Sequence, residues 1–156
     1  MSLGLLNKKN NLTTRLALFY SKIRSDQIAA SGLVSKKGIK MTAITIYHNP
    51  RCSKSRETLA LLENKSANVV VINYLETPPT IEKLQQIIAL LGFTSARQLM
   101  RTKEECYKTL ALTDENNELV LLQNMVDHPK LIERPIVMAN GKAAIGRPPE
   151  SVLDII

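Results

Sequence analysis

The sequence predicts an α/β fold built on a mixed four-stranded sheet flanked by helices, and three observations lead there. Two short β-branched runs, residues 43–47 and 69–74, bracket a stretch with helical spacing of apolar residues. A strand, helix, strand unit of that length implies a right-handed crossover and parallel pairing. Near the end of the chain, residues 135–139 and 142–145 are separated by Asn140-Gly141, a dipeptide that tolerates the positive φ angles of a two-residue hairpin turn. Parallel strands plus an antiparallel hairpin make the sheet mixed.

Taken in order, Ala43-Ile44-Thr45-Ile46-Tyr47 reads as a buried strand. Thr58, Leu59, Leu61 and Leu62 then open a helical face that fades near Asn64-Lys65-Ser66. The run from Val69 to Tyr74 is expected to be a second buried strand. Thr77-Pro78-Pro79-Thr80 punctuates the chain, and Ile81, Leu84, Ile87, Ile88 and Leu91 mark one face of a helix that Gly92 ends. Short helices are expected over 95–100, 104–110 and 119–127, as a helical insertion between the βαβ and ββα halves. After the hairpin a last helix starts near Pro148-Pro149-Glu150 and is expected to bury Val152, Leu153 and Ile156.

The 156 residues suffice for one globular domain, and charge divides them unevenly. Residues 1–40 hold eight Lys or Arg against Asp26 alone, which accounts for the whole net charge of +7; residues 41–156 are balanced, thirteen against thirteen. The high pI therefore belongs to an N-terminal extension and argues against a nucleic-acid surface on the domain. That extension is read first as upstream sequence left by a misplaced start, because Met41 directly precedes the first strand. A targeting segment or a nucleic-acid or membrane arm are the alternatives. No stretch approaches the roughly 18 consecutive apolar residues of a membrane span. Two cysteines without a disulfide framework point to a soluble, cytoplasmic domain, 41–156, expected to be a monomer.

The chemistry concentrates in Tyr47-His48-Asn49-Pro50-Arg51-Cys52-Ser53-Lys54-Ser55-Arg56. Cys52 falls between the first strand and the first helix. At a helix start the unpaired N–H groups of Ser53, Lys54 and Ser55 and the positive end of the macrodipole favour an anion, either the sulfur or a bound oxyanion. His48, Arg51, Lys54 and Arg56 are expected to add positive influence and lower the thiol pKa, and the thiolate is the attacking form. The plain alternative is a small buried hydrophobe at an ordinary basic helix start. A Cys-x-x-Cys disulfide oxidoreductase is excluded because the second position holds Ser55, and Arg56 is too close for a Cys-x5-Arg phosphatase cradle. Cys106, in a helical pattern beside Tyr107, is read as packing, and His128 as a residue at a helix C-terminus. No metal-ligand spacing, Gly-rich nucleotide loop or Ser-His-Asp set is present.

Five ordered blocks carry a resemblance. They are Tyr47 to Cys52 with Ser55-Arg56, Tyr74-Leu75-Glu76-Thr77-Pro78-Pro79, Leu99-Met100-Arg101, His128-Pro129 with Leu131-Ile132 and Arg134-Pro135-Ile136, and Gly146-Arg147-Pro148. From about Met41 to Ile156 the chain resembles the glutaredoxin-dependent arsenate reductase family. The resemblance implies a thioredoxin-like fold with a helical insertion and a cis bond between Arg134 and Pro135. It implies that Cys52 attacks arsenate, that Arg101, Arg134 and Arg147 bind the oxyanion, that His48 stabilises the thiolate, and that Ser55 donates a hydrogen bond to it. Guanidinium suits a divalent tetrahedral oxyanion better than ammonium, because it offers forked donors. Glutathione as co-substrate and glutaredoxin as protein partner follow from the same resemblance, with no bound cofactor, no metal, no nucleic acid and no membrane. A glutathione-linked thiol/disulfide reductase and a redox regulator of the Spx type, binding RNA polymerase, are the alternatives. The regulator loses weight because such proteins typically carry Cys-x-x-Cys where this chain has Cys52-Ser53-Lys54-Ser55.

Overall fold

The computed structural model describes residues 43–66 and 68–156. The basic extension over 1–40, together with Met41, lies outside the described residues. The sheet has the order β2-β1-β3-β4, with β1 Ile44–His48, β2 Val69–Asn73, β3 Ile136–Ala139 and β4 Lys142–Ile145. β1 and β2 are parallel, while β1–β3 and β3–β4 are antiparallel. Helix α1, Ser53–Lys65, makes the crossover between the parallel pair. Asn140 and Gly141 turn the hairpin with φ of 52° and 71°, both in the left-handed region a two-residue turn of this kind requires. This is the mixed sheet expected of a thioredoxin-like fold, and the helical insertion lies where it was expected. It holds α2 Ile81–Leu90, α3 Glu105–Thr109 and α4 Glu118–Asp127, with 3-10 turns at Ala96–Leu99 and Pro129–Leu131.

The strands are covered on two faces because alternate residues point opposite ways. Ile44 and Ile46 pack with Leu62 of α1, Val137 and Val152, whereas Tyr47 joins Leu84, Ile87, Leu99, Met125 and Leu131 of the insertion. Arg97 ties the insertion together, donating to the Tyr107 hydroxyl and to the carbonyls of Leu112 and Glu115.

Three expectations are corrected. β1 runs one residue later than expected, which places His48 inside the strand. The second strand is not buried: it is an edge strand with Val70 and Val71 nearly half exposed. An unbroken apolar run does not distinguish a central strand from an edge. The C-terminal element, Pro149–Ile155, is a 3-10 helix rather than an α-helix, so its buried positions repeat every three residues, at Pro149, Val152 and Ile155. Leu153 is consequently only partly buried and Ile156 is exposed. Among the described residues no helix is long and apolar enough to cross a membrane.

Candidate active site

The carboxyl ends of β1 and β2 and the start of β3 meet at one edge of the sheet, the usual place for ligand chemistry in α/β folds. Asn49 organises the loop that leaves β1 there. Its carbonyl accepts from the Cys52 N–H at 3.0 Å, its side-chain oxygen accepts from the Arg51 N–H at 2.9 Å, and its own N–H donates to Ser55 Oγ at 3.0 Å. Cys52 then acts as the N-cap residue of α1 in extended conformation, and its carbonyl receives the Arg56 N–H at 3.1 Å. The first turn of α1 contains no acidic residue to compete with an anion.

Cys52 is half-buried, and that burial by itself opposes ionisation. The Ser55 backbone N–H and the guanidinium groups of Arg134 and Arg147 more than offset it, holding the thiol below its ordinary pKa. Arg147 Nη2 stands 3.9 Å from the sulfur, and the charge of Arg134 acts on it as well. Arg147 Nε also donates to the Arg134 carbonyl at 2.8 Å.

The source of positive charge differs from the sequence expectation. Arg51, Lys54 and Arg56 are exposed; Lys54 pairs with Glu57 at 2.7 Å, and Arg56 donates to the Pro50 carbonyl at 2.7 Å. The groups that act on the sulfur come instead from segments more than 80 residues downstream, Arg134 and Arg147. Arg101, grouped with them from the sequence, is not brought to the sulfur. It pairs with Glu104, and its Nη1 lies 3.4 Å from the Lys130 carbonyl, because the 101–104 turn sets the two side chains one turn apart.

His48 and Ser55 also sit one step further from the sulfur than expected. His48 is 7% exposed, and its Nδ1 is 2.9 Å from Ser55 Oγ. Burial holds its pKa below the usual histidine value, and the Arg56 charge adds to the effect, while the Ser55 bond and Glu63 act against it. A histidine kept neutral contributes no charge to a thiolate. The Ser55 hydroxyl is engaged by His48 and Asn49; the contribution of Ser55 to the sulfur comes from its backbone N–H. The pair therefore shapes the loop that carries Cys52.

The bonds before Pro135 and Pro148 are both cis, the first as expected and the second unforeseen. Gly146 sits where a Cβ would lie 2.6 Å from Thr58 Oγ1 and 2.8 Å from Pro135 Cγ, a requirement for glycine that no local sequence signal shows. For Asn49 the one local signal is Asn-Pro as a turn initiator. Cys106 packs against the core of the insertion and lines a separate cavity of about 390 Å³ with Glu104, Leu110, His128 and Lys130, which includes none of Cys52, Arg134 and Arg147. Among the described residues no group of three His, Cys, Asp or Glu is placed to hold a metal ion.

Residues 47–155 match the ArsC family. The chain is 58% identical over 114 residues to the uncharacterized protein YfgD of Escherichia coli, covering 72% of this chain and 96% of that one. It is 51% identical over 113 residues to an arsenate reductase of Neisseria meningitidis, covering 72% and 97%. Among solved structures, an arsenate reductase from Vibrio cholerae superposes with a TM-score of 0.72 at 53% identity, over 75% of this chain and all of that one.

Proposed function

This chain belongs to the ArsC family, and from that premise we propose that it reduces arsenate to arsenite through Cys52, with glutathione and glutaredoxin as electron donors. The observation that carries the reading is the convergence of Arg134 and Arg147 on a thiol at a helix start. A cysteine that is merely packed needs no guanidinium pair from distant segments, whereas an attack on an oxyanion needs both an ionised sulfur and fixed charge for the oxyanion.

In the proposed sequence arsenate docks on Arg134, Arg147 and the N–H groups that open α1. The Cys52 thiolate displaces one oxygen, which leaves as water after protonation, and an S–As(V) bond forms. A glutathione thiolate then attacks the Cys52 sulfur; the S–S bond forms as the S–As pair stays with arsenic, which departs as As(III). Glutaredoxin removes glutathione from Cys52 by thiol–disulfide exchange and restores the thiol. Arg101 joins the oxyanion only by leaving Glu104. His48 and Ser55 hold the Asn49 loop so that the Ser55 N–H faces the sulfur. The protein is expected to act as a cytoplasmic monomer.

A second reading, a glutathione-linked thiol/disulfide reductase, is favoured by one observation: Arg101 pairs with Glu104. Arsenate-dependent NADPH consumption, coupled through glutathione, glutaredoxin and glutathione reductase, separates the two. Arsenate reduction requires turnover that depends on arsenate and is lost in Cys52→Ser and Arg134→Ala. Turnover of a glutathione mixed disulfide without any arsenate dependence would transfer the assignment to the second reading.

A further inference from the structure

Thr58 stands on α1 beyond Cys52 and takes no part in the proposed reaction, yet it is fully buried. Its Oγ1 donates to the Lys54 carbonyl at 2.8 Å, in the turn of helix that follows the sulfur directly. A hydroxyl bent back in this way is satisfied within its own helix. The same oxygen and the γ-methyl fill the space that a side chain on Gly146 would take, 2.6 and 3.1 Å from where its Cβ would stand. Gly146 is buried and is not among the glycines of positive φ, so closeness to α1, and not backbone conformation, is what requires glycine there.

Gly146 in turn joins the two arginine segments. Its N–H donates to the Pro135 carbonyl at 2.9 Å, beside Arg134, and Arg147 follows it directly in the chain. Arg147 Nε donates to the Arg134 carbonyl at 2.8 Å, and Arg147 Nη2 stands 3.9 Å from Cys52 Sγ. These contacts close a ring that runs from the sulfur along the first turn of α1 to Thr58, across to Gly146, and back through Arg147 to the sulfur. Thr58 against Gly146 is the link made by packing rather than by a hydrogen bond, so side-chain volume sets its width.

We propose that Thr58 is a positioning residue whose buried side chain is the stop against which the Gly146-Arg147 segment rests, and that it thereby sets the distance from the Arg147 guanidinium to the Cys52 sulfur. The inference deepens the proposed function and rests on its reactive Cys52. Attraction between charges weakens with distance, and at a half-buried sulfur water screens it incompletely. A segment displaced by part of a methyl's width therefore changes both the thiolate fraction and the fit of an oxyanion between Cys52 and Arg147.

The test is the rate of Cys52 alkylation by iodoacetamide on both sides of its pH inflection, read at the Cys52 peptide by mass spectrometry so that Cys106 does not contribute. Wild type, Thr58→Ser, Thr58→Ala, Gly146→Ala and the Thr58→Ala/Gly146→Ala double variant are compared, with Tm measured for each. Arg134, Arg147, His48, Glu133 and the exposed Arg51, Lys54 and Arg56 are common to all five. Thr58→Ser keeps the oxygen and should stay within about twofold of wild type, as a conservative replacement does. Thr58→Ala removes the stop and should slow alkylation about three- to tenfold on the acid side, with no change on the alkaline side, where every thiol is ionised. In the double variant the methyl on residue 146 enters the vacated space, so alkylation should be faster than in Gly146→Ala alone; the contact with Pro135 Cγ is common to both. Wild-type alkylation in Thr58→Ala, equal slowing on both sides of the inflection, or a double variant no faster than Gly146→Ala overturns the proposal. A lower Tm in Thr58→Ala with unchanged alkylation also overturns it and leaves Thr58 a core residue. Arsenate turnover is scored separately, and Thr58→Ala should raise the KM for arsenate more than it lowers kcat. Wild-type turnover with unmoved alkylation in Thr58→Ala removes the positioning role alone, whereas the expected alkylation pattern without arsenate turnover keeps that role and removes the arsenate reading.

Discussion

Arg147 Nε donates to the backbone carbonyl oxygen of Arg134 at 2.8 Å, so the Arg147 guanidinium beside Cys52 is anchored on the backbone of the other arginine that acts on the sulfur. Glu133 adds a carboxylate 3.9 Å from the same Nε. Arg147 is exposed, and a charge on a flexible exposed side chain is worth little unless something holds its direction. The Arg134 carbonyl supplies that direction.

Arg147→Lys should separate charge from direction. Lysine keeps the positive charge but has no Nε donor for the Arg134 carbonyl and no fork for an oxyanion. Loss of one charge-assisted bond predicts an arsenate KM about tenfold higher, with a smaller change in kcat. Steady-state kinetics at saturating glutathione read this, and an unchanged KM would assign Arg147 to charge alone.

Gly146→Ala should damage the site more than its size suggests. The added methyl meets Thr58 Oγ1 and Pro135 Cγ below 3 Å, and Thr58 is fully buried with its hydroxyl bonded to the Lys54 carbonyl. Forced overpacking of this kind costs about 1–3 kcal/mol, and the displaced segments are those carrying Arg134 and Arg147. Thermal unfolding and Cys52 alkylation should both change. A variant with wild-type Tm and wild-type alkylation would show that the contact is relieved harmlessly.

His48 makes stability depend on pH in a stated direction. Its folded pKa lies below the unfolded value near 6.5, so the unfolded chain binds the extra proton first. Its contribution is complete above pH about 6.5 and is lost as pH falls through the lower folded pKa. His48→Gln retains an oxygen to accept from Ser55 and should flatten the fall in Tm between about pH 7 and 5. Identical slopes in the two proteins would sink this assignment.

Cys52→Ser should abolish turnover and Cys106→Ser should retain it. Cys106 packs in the insertion and lines a cavity that excludes Cys52. Loss of turnover in both variants, with both folded, would instead give Cys106 a part in resolving the Cys52 intermediate.

Glu104→Gln should strengthen arsenate binding by about two- to fivefold, the range expected for removing one partly exposed ion pair that competes for Arg101. Arg101→Ala should weaken it. If neither variant changes the KM for arsenate, Arg101 serves the insertion and not the oxyanion.

Local signals carried most of the architecture. Asn140-Gly141, the helical spacing around α2 and the β-branched runs report on conformations decided within a few residues, and each element stands close to where its own sequence placed it. The exceptions are informative. β2 reads as buried because three consecutive valines and an isoleucine are apolar on both faces, but its place at the edge of the sheet depends on where β3 inserts. The 3-10 form of Pro149–Ile155 likewise depends on what it packs against, Leu62 and Val137 among them.

By itself, the sequence determined that a thiol begins the first helix after a strand, because strand, turn and helix signals are local and Cys52 lies at their junction. Which charges surround that thiol was decided only by the tertiary structure. Arg51, Lys54 and Arg56 are neighbours along the chain but project outward from the helix start, while antiparallel pairing of β3 with β1 and the return of the chain after β4 bring in Arg134 and Arg147. A side chain's reach is a few ångströms in space, and spacing along the chain reports that distance only within one element.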